Sequence, residues 1–293
     1  MKIKKGVIAA AGRGTRFLPV VKGYPKELVP ILDKPNIQYL VEEMVGAGID
    51  EIAIIHRHGD NKIKKYFTPD PELEKFLKDS GKEEYLSSLK NLWKKVKVWK
   101  FIPQGRSLPY GNASPALAAK GFLGKDPFVF MFGDDMLIED NPGDFLKHIL
   151  GVFEKYNSDL VLGVQEVPWK DVDRYGCIKP MRDKAIPNRI SGIIEKPPVG
   201  KSPSNLGQFG RFVFSSKLFD VLAKQKLGKG NELWLTEAED TLAKQAVAIA
   251  EPIEKGEWVT TGDPLRWLKI NIKMGLRNEE MKKDLKHFLK LIK

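Results

Sequence analysis

The residues best suited to chemistry follow the first apolar run. Ala10-Ala11-Gly12-Arg13-Gly14-Thr15-Arg16-Phe17-Leu18-Pro19 comes directly after a strand-like segment, Lys4–Ala10. Glycines let a backbone turn sharply and bring its N–H groups close to phosphate oxygens. Arg16 adds a planar, permanently charged fork that suits phosphate. The run is not a Walker loop, because no Gly-Lys-Ser/Thr follows, and it lacks the third glycine of the dinucleotide fingerprint. Taken alone, the glycine pair reads equally well as an ordinary turn. Lys26, in Pro25-Lys26-Glu27-Leu28-Val29-Pro30, is a point charge on a Pro-bounded loop, either a phosphate ligand or a surface lysine. Asp134 ends the apolar run Phe128-Val129-Phe130-Met131-Phe132-Gly133. A carboxylate there is suited to holding Mg²⁺ against nucleotide phosphates, and equally to capping a turn. Glu195-Lys196 ends another apolar run, and reads as a pair of ligand-gripping charges or as a surface pair. The Gln104 amide can both donate and accept, as an imide base requires.

Other chemistry is poorly supported. His56, His58, His148 and His287 show no metal-ligand spacing, and Cys177 has no nucleophile partner in the pattern. No covalent catalysis is assigned. One cysteine excludes a disulfide framework and any Cys-rich zinc module. The balance is 49 Lys+Arg against 38 Asp+Glu, net +11. Such a charge suits nucleic acid, an anionic membrane or a phosphorylated small molecule. Here the lysines are interleaved with acids, with dense runs only at Lys94–Lys100 and Lys282–Lys293, which reads as a solvated surface. No aromatic–basic recognition motif supports nucleic acid. No run approaches the ~18 apolar residues needed to span a bilayer, and the basic start lacks a signal-peptide core. The expectation is a soluble cytoplasmic protein with neither a membrane nor a nucleic-acid partner.

Elements that alternate must position these residues. Strands are expected at Lys4–Ala10, Glu51–His56, Lys97–Ile102, Phe128–Phe132 and Leu160–Val167. Helices are expected between them at Ile37–Ala47, Pro71–Trp93, Ala113–Phe122 and Phe145–Tyr156. That alternation predicts an α/β fold with a Rossmann-like sheet flanked by helices, and ligands at the carboxyl ends of its strands. Shorter β elements, Tyr175–Pro180, Arg189–Glu195 and Gln208–Phe214, follow and are expected to fold over the first sheet. Helices are expected last, at Lys217–Lys224, Leu235–Ala246 and Pro264–Leu276. No repeat or linker divides the chain.

The ordered motifs resemble the sugar-1-phosphate nucleotidylyltransferases, and within them the uridylyltransferase branch. Ala10–Pro19, Pro25–Pro30 and Asp33-Lys34-Pro35 with Ile37-Gln38-Tyr39 carry the resemblance first. Gln104-Gly105, Tyr110-Gly111-Asn112-Ala113, Phe132-Gly133-Asp134, Arg174-Tyr175-Gly176, Glu195-Lys196-Pro197 and Leu235-Thr236-Glu237-Ala238 extend it over nearly the whole chain. The resemblance implies one domain over residues 1–293. Its parts are a nucleotide-binding half to about residue 160, a β-rich sugar-phosphate half to about 262, and a C-terminal helical tail. It implies transfer of a uridylyl group from UTP to glucose 1-phosphate, with Mg²⁺ as cofactor and a homo-oligomer, dimer or tetramer, as the working form. Nucleotide contacts are then expected from Ala10, Ala11, Gly12, Gly14, Thr15, Arg16, Lys26, Gln104 and Gly111. Sugar-phosphate contacts are expected from Gly176, Glu195 and Lys196. Asp134 is the expected metal ligand, with Arg16, Lys26 and Lys196 as the catalytic cations.

Two positions depart from the family pattern. Val21 stands before Lys22 where threonine is common. Thr260, in Trp258-Val259-Thr260-Thr261-Gly262-Asp263-Pro264, stands where a second metal-binding aspartate is expected. A neutral hydroxyl is a poor substitute for a carboxylate at Mg²⁺. Thr260 therefore keeps open a non-catalytic regulatory relative that binds nucleotide or nucleotide-sugar. A transferase of different base or sugar preference is the other alternative.

Overall fold

The computed structural model describes residues 2–86 and 94–292. In its first part, strands β1 (Lys5–Ala10), β2 (Pro30–Ile31), β3 (Lys34–Pro35), β4 (Glu51–His56), β5 (Val98–Pro103), β6 (Phe128–Phe132) and β7 (Asp135–Ile138) alternate with helices. Those helices are α1 (Asn36–Gly46), α2 (Lys62–Tyr66), α3 (Pro71–Asp79), α4 (Ser114–Leu123) and α5 (Asp144–Tyr156). Next come β8 (Leu160–Glu166), β9 (Gly176–Pro180), β10 (Ile190–Glu195) and β11 (Leu206–Phe214). Helices α6 (Lys217–Lys224) and α7 (Leu235–Gln245), strands β12 (Ala248–Pro252) and β13 (Glu257–Thr260), then α8 (Pro264–Arg277) and α9 (Lys282–Leu291) complete the chain.

Among the described residues, nine strands share one mixed sheet, in the order β10-β9-β11-β6-β1-β4-β5, with β8 on β11 and β12 on β8. Strands β6, β1, β4 and β5 are parallel, so the loops after them emerge at one edge. The later strands do not fold over this sheet as expected. They extend it: β11 pairs antiparallel with β6, Arg211 opposite Met131 and Phe214 opposite Phe128. The reason lies in the residues. Both faces of the central strands are apolar, so successive side chains enter opposite cores. Val7, Phe128 and Phe130 pack on one side with Phe212, Phe214 and Phe219; Ile8, Val129 and Met131 pack on the other with Ile37, Leu40 and Phe145. Helices occupy both faces, which leaves the edge of β6 for β11.

One expected helix is interrupted, and the chain is helical again at residues 83–86. Pro71–Trp93 reads as continuous, but α3 starts on an Asp70 cap, whose carboxylate accepts from Leu73 N at 3.0 Å, and ends at Asp79. Ser80 and Gly81 turn the chain, with Gly81 in the left-handed region that stops a helix. The end of that expected span, 87–93, lies outside the described residues. Strands β2, β3, β7, β12 and β13 were not expected. Among the described residues no helix is long and apolar enough to cross a membrane.

Candidate active site

The turn after β1 is shaped by a lysine lying across it. Gly14 is left-handed, φ +60°, and opens the short turn Thr15–Phe17. A Cβ on Gly14 would stand 3.2 Å from Lys26 Cβ, and one on Gly12 would stand 3.5 Å from Lys26 Cε. The lysine stem thus runs over the glycines and carries its ammonium to the end of β6. There Lys26 Nζ lies 2.6 Å from Asp134 Oδ2 and 3.9 Å from Glu27 Oε1. Ala10 ends β1 opposite His56, and Ala11 begins the turn.

Asp134 is met from the other side by the segment after β13. That strand runs antiparallel to β7 with Thr260 opposite Asp135. Thr261 then donates from its backbone N (2.8 Å) and its hydroxyl (3.1 Å) to the Asp134 carbonyl. A Cβ on Gly262 would stand 3.3 Å from Asp134 Oδ2, 3.3 Å from Thr260 Oγ1 and 3.5 Å from Arg16 Nη1. Carboxylate, hydroxyl and guanidinium therefore converge on one point at the sheet edge. Asp263 does not join them. It caps α8, its Oδ1 accepting from Arg266 N at 3.0 Å.

Charge tunes this cluster. Burial pulls the Lys26 pKa down, but Asp134 and Glu27 outweigh it and the net shift is upward, so the ammonium is secure. Burial pushes Asp134 up, and the Lys26 charge overrides it, leaving its carboxyl below the ordinary range. Glu27 is buried and its carboxylate oxygens have no hydrogen-bond partner among the described residues. Its pKa is raised to about 7, chiefly by burial. Asp135 is pushed to about 6 by burial and then by the Asp134 charge. Its Oδ2 accepts from Gly210 N at 3.0 Å. Behind it, fully buried Arg211 grips Glu43 through two bonds (2.6 and 2.7 Å) and donates to the Asp135 carbonyl at 3.1 Å.

A second cluster forms where β9 and β10 meet, Glu195 opposite Gly176. A Cβ on Gly176 would stand 2.7 Å from Gln208 Nε2. Lys196, with φ +46°, holds an uncommon left-handed backbone. Its Nζ lies 3.0 Å from Glu195 Oε1 and 4.9 Å from the Trp234 ring centroid. Thr236 Oγ1 donates to Glu195 Oε2 at 2.8 Å.

The loop after β5 holds the segment that flanks Trp234. Gly111, φ +145°, packs so closely on Leu233 that a Cβ would stand 2.2 Å from its carbonyl oxygen. Leu233 N donates to Tyr110 O (2.7 Å) and Leu235 N to Asn112 Oδ1 (2.7 Å). Gln104 continues β5, its backbone N donating to His56 O at 2.8 Å. No hydrogen bond joins its side chain to either cluster among the described residues. The structure thus unites Gly12, Gly14, Arg16, Lys26 and Asp134 in one group, and Gly176, Glu195 and Lys196 in another. Strand β11 bridges them, with Gln208 at the second and Gly210–Arg211 at the first. Sequence reasoning did not single out Gln208, Trp234, Thr236 or Glu239. Thr236 stood inside a quoted motif, whereas Gln208 and Glu239 carry no local signal.

The chain is similar to known proteins over nearly its whole length. Residues 5–275 match the family model described as nucleotidyl transferase. A UTP–glucose-1-phosphate uridylyltransferase from Staphylococcus epidermidis is 38% identical over 289 residues, covering 99% of this chain and 98% of that protein. A UTP-bound UGPase from Acinetobacter baumannii superposes with a TM-score of 0.88 at 30% identity, covering 99% of this chain and all of that one. A UDP-glucose pyrophosphorylase complexed with UDP-glucose superposes with a TM-score of 0.82 at 31% identity, over 94% of this chain and all of that one. The match covers residues 5–275 and nearly the whole of each relative, and by it the chain belongs to the nucleotidyl transferase family.

Proposed function

We propose that this protein is a uridylyltransferase that makes UDP-glucose and pyrophosphate from UTP and glucose 1-phosphate. The observation that carries the reading is the near end-to-end similarity to proteins of that activity, with the Lys26–Asp134 contact seated at the carboxyl ends of β1 and β6. Glucose 1-phosphate is already an anion at neutral pH, so no general base is required. One of its phosphate oxygens attacks the α-phosphorus in line, and pyrophosphate leaves. The protein's task is then positioning and charge stabilisation.

Each site residue has a role in this reading. The Ala10, Ala11, Gly12, Gly14 and Thr15 backbone cradles the triphosphate, and Arg16 holds the departing phosphates. Lys26 neutralises charge near the α-phosphate. Gln104 and Gly111 bound the base. Gly176 and Glu195 receive the sugar, and Lys196 leaves Glu195 to aim the attacking phosphate. The whole chain acts as one domain, its first half serving the nucleotide and its β-rich part the sugar phosphate.

Enzymes of the family generally need a divalent metal. The donors here fit a hard cation: Asp134 offers one carboxylate and Thr260 a hydroxyl oxygen, facing a common point. Mg²⁺ takes one or two carboxylates together with phosphates and water, so this small set suffices. Among the described residues no cluster of three His, Cys, Asp or Glu competes for it. Bound Mg²⁺ would neutralise phosphate charge during transfer.

We also propose a homo-oligomer, dimer or tetramer, because α8 and α9 expose Leu265, Leu268, Phe288 and Leu291. A cytoplasmic location belongs to the same reading, since its substrates are anions that do not cross a bilayer unaided.

The position of Thr260 supports one second reading, a non-catalytic relative that binds nucleotide. Pyrophosphate release measured over four nucleoside triphosphates and several sugar phosphates, with Mg²⁺, decides between them. The expected result is a maximum with UTP and glucose 1-phosphate. A folded protein that binds UTP and releases no pyrophosphate with any pair would establish the second reading.

A further inference from the structure

Beneath Glu195 lies a file of buried polar side chains that neither the phosphates nor the metal would touch. Thr236 is 3% exposed and Glu239, one helical turn on, is wholly buried. Thr236 Oγ1 donates to Glu195 Oε2 at 2.8 Å and accepts from Gln208 Nε2 at 3.2 Å. The Gln208 side chain lies near enough to the Glu239 carboxyl to lower its pKa, though no hydrogen bond joins them. Three oxygens in this file, Gln208 Oε1 and both of Glu239, are buried without a hydrogen-bond partner among the described residues. All three are acceptors if Glu239 is ionised, and none has a hydrogen-bond donor among the described residues. A single proton on Glu239 reduces the three orphans to one, because the acid O–H can donate to Gln208 Oε1.

The direction of every bond then follows. With its carbonyl held by Glu239, Gln208 must present its N–H group to Thr236. A threonine hydroxyl has one proton, and with a donor on its lone pair that proton goes to Glu195. Glu195 Oε2 is thereby fixed, and Oε1 is left to Lys196, 3.0 Å away, or to a sugar hydroxyl.

We propose that Thr236 and Gln208 are positioning residues for the sugar-facing carboxylate of Glu195, and that Glu239, held as the neutral acid, anchors them. The inference rests on the sugar-binding role of Glu195 proposed above. The charge environment agrees with it. Burial, the largest cause, and the Glu195 charge on β10 push the Glu239 pKa to about 8, against the smaller opposing pull of the Gln208 side chain. On its own helix the neighbouring Asp240 turns to the Ile193 N–H (2.9 Å) and pairs with Lys244, so it offers Glu239 no proton.

The test is steady-state kinetics on the full chain with UTP and glucose 1-phosphate, for wild type, Thr236→Val, Thr236→Ser and Glu239→Gln. Losing a hydrogen bond to a charged group should raise KM for glucose 1-phosphate about tenfold in Thr236→Val. KM for UTP should stay nearly constant, and Thr236→Ser should recover most of the loss. In wild type, KM for glucose 1-phosphate should rise above about pH 8, as Glu239 ionises. Glu239→Gln keeps a permanent donor and should flatten that rise. Unchanged KM for glucose 1-phosphate in folded Thr236→Val, or an equal rise for both substrates, overturns the inference while wild-type activity leaves the proposed function standing. So does a Glu239→Gln profile that keeps the alkaline rise, a readout that remains if Thr236→Val fails to fold. Wild type inactive with every sugar phosphate overturns the functional reading and this inference together.

Discussion

Lys26 and Thr260 meet Asp134 with opposite consequences. The ammonium at 2.6 Å neutralises the carboxylate when no other cation is near, and the hydroxyl adds no charge. A second carboxylate at residue 260 would change the balance on both sides of the reaction. Thr260→Asp should lower the Mg²⁺ concentration for half-maximal rate and weaken UTP binding in chelator, because two carboxylates repel incoming phosphates without metal. A Mg²⁺ titration of rate, paired with UTP binding in chelator, measures both; if neither quantity moves, Thr260 does not face the metal. Glu27 gives a pH signature. Its folded pKa, about 7, exceeds the ordinary 4.5, so the native state keeps a proton that the unfolded chain has lost. That contribution is complete below pH 4.5 and is lost as pH rises to about 7. Glu27→Gln has no such proton, so its stability should fall less between pH 5 and 8, by up to roughly 3 kcal/mol. Parallel melting curves for the two proteins across that range would count against the buried neutral acid.

At the scale of elements, the segment from β13 to α8 sets the geometry around Asp134. It pairs with β7, turns at Thr261–Gly262, and is stopped by the Asp263 cap and Pro264 at the start of α8. The cap satisfies a backbone donor that the helix itself leaves open. Asp263→Ala should cost about 1 kcal/mol of stability, and Asp263→Asn should cost less. Urea unfolding distinguishes them; a loss of metal-dependent rate with unchanged stability would instead make Asp263 a site residue.

Over the whole molecule, the bond between Arg211 and Glu43 links β11 to α1 across 168 residues of sequence, with both side chains buried. The same guanidinium reaches the Asp135 carbonyl, so the joint between early and late parts of the chain also supports the turn that carries Asp134. Arg211→Met leaves Glu43 buried and unpaired and should cost roughly 3–5 kcal/mol. The double variant with Glu43→Leu should be more stable than Arg211→Met alone, since it removes the orphan charge. Chemical denaturation of the three proteins checks the sign; a double variant less stable than either single one would show that the pair itself, and not relief of an isolated charge, governs this joint.

The sequence by itself determined the parts that depend on local rules. Apolar runs and turn residues marked β1, β4, β6 and α6 closely, because strand and helix periodicity is a property of neighbouring residues. The glycine turn, Lys26 and Asp134 were legible as chemical types for the same reason, as was the Glu195-Lys196 pair. Tertiary structure decided what neighbours cannot. Whether β9 to β11 would cover the first sheet or extend it depended on which apolar edges met. Strand β13 became one only by pairing with β7, which brought Thr260 to Asp134. The contacts of Glu195 with Thr236, and of Thr236 with Gln208, join residues 41 and 28 positions apart. Glu239 looked like any helical acid until the fold buried it, and burial is the largest of the causes that raise its pKa.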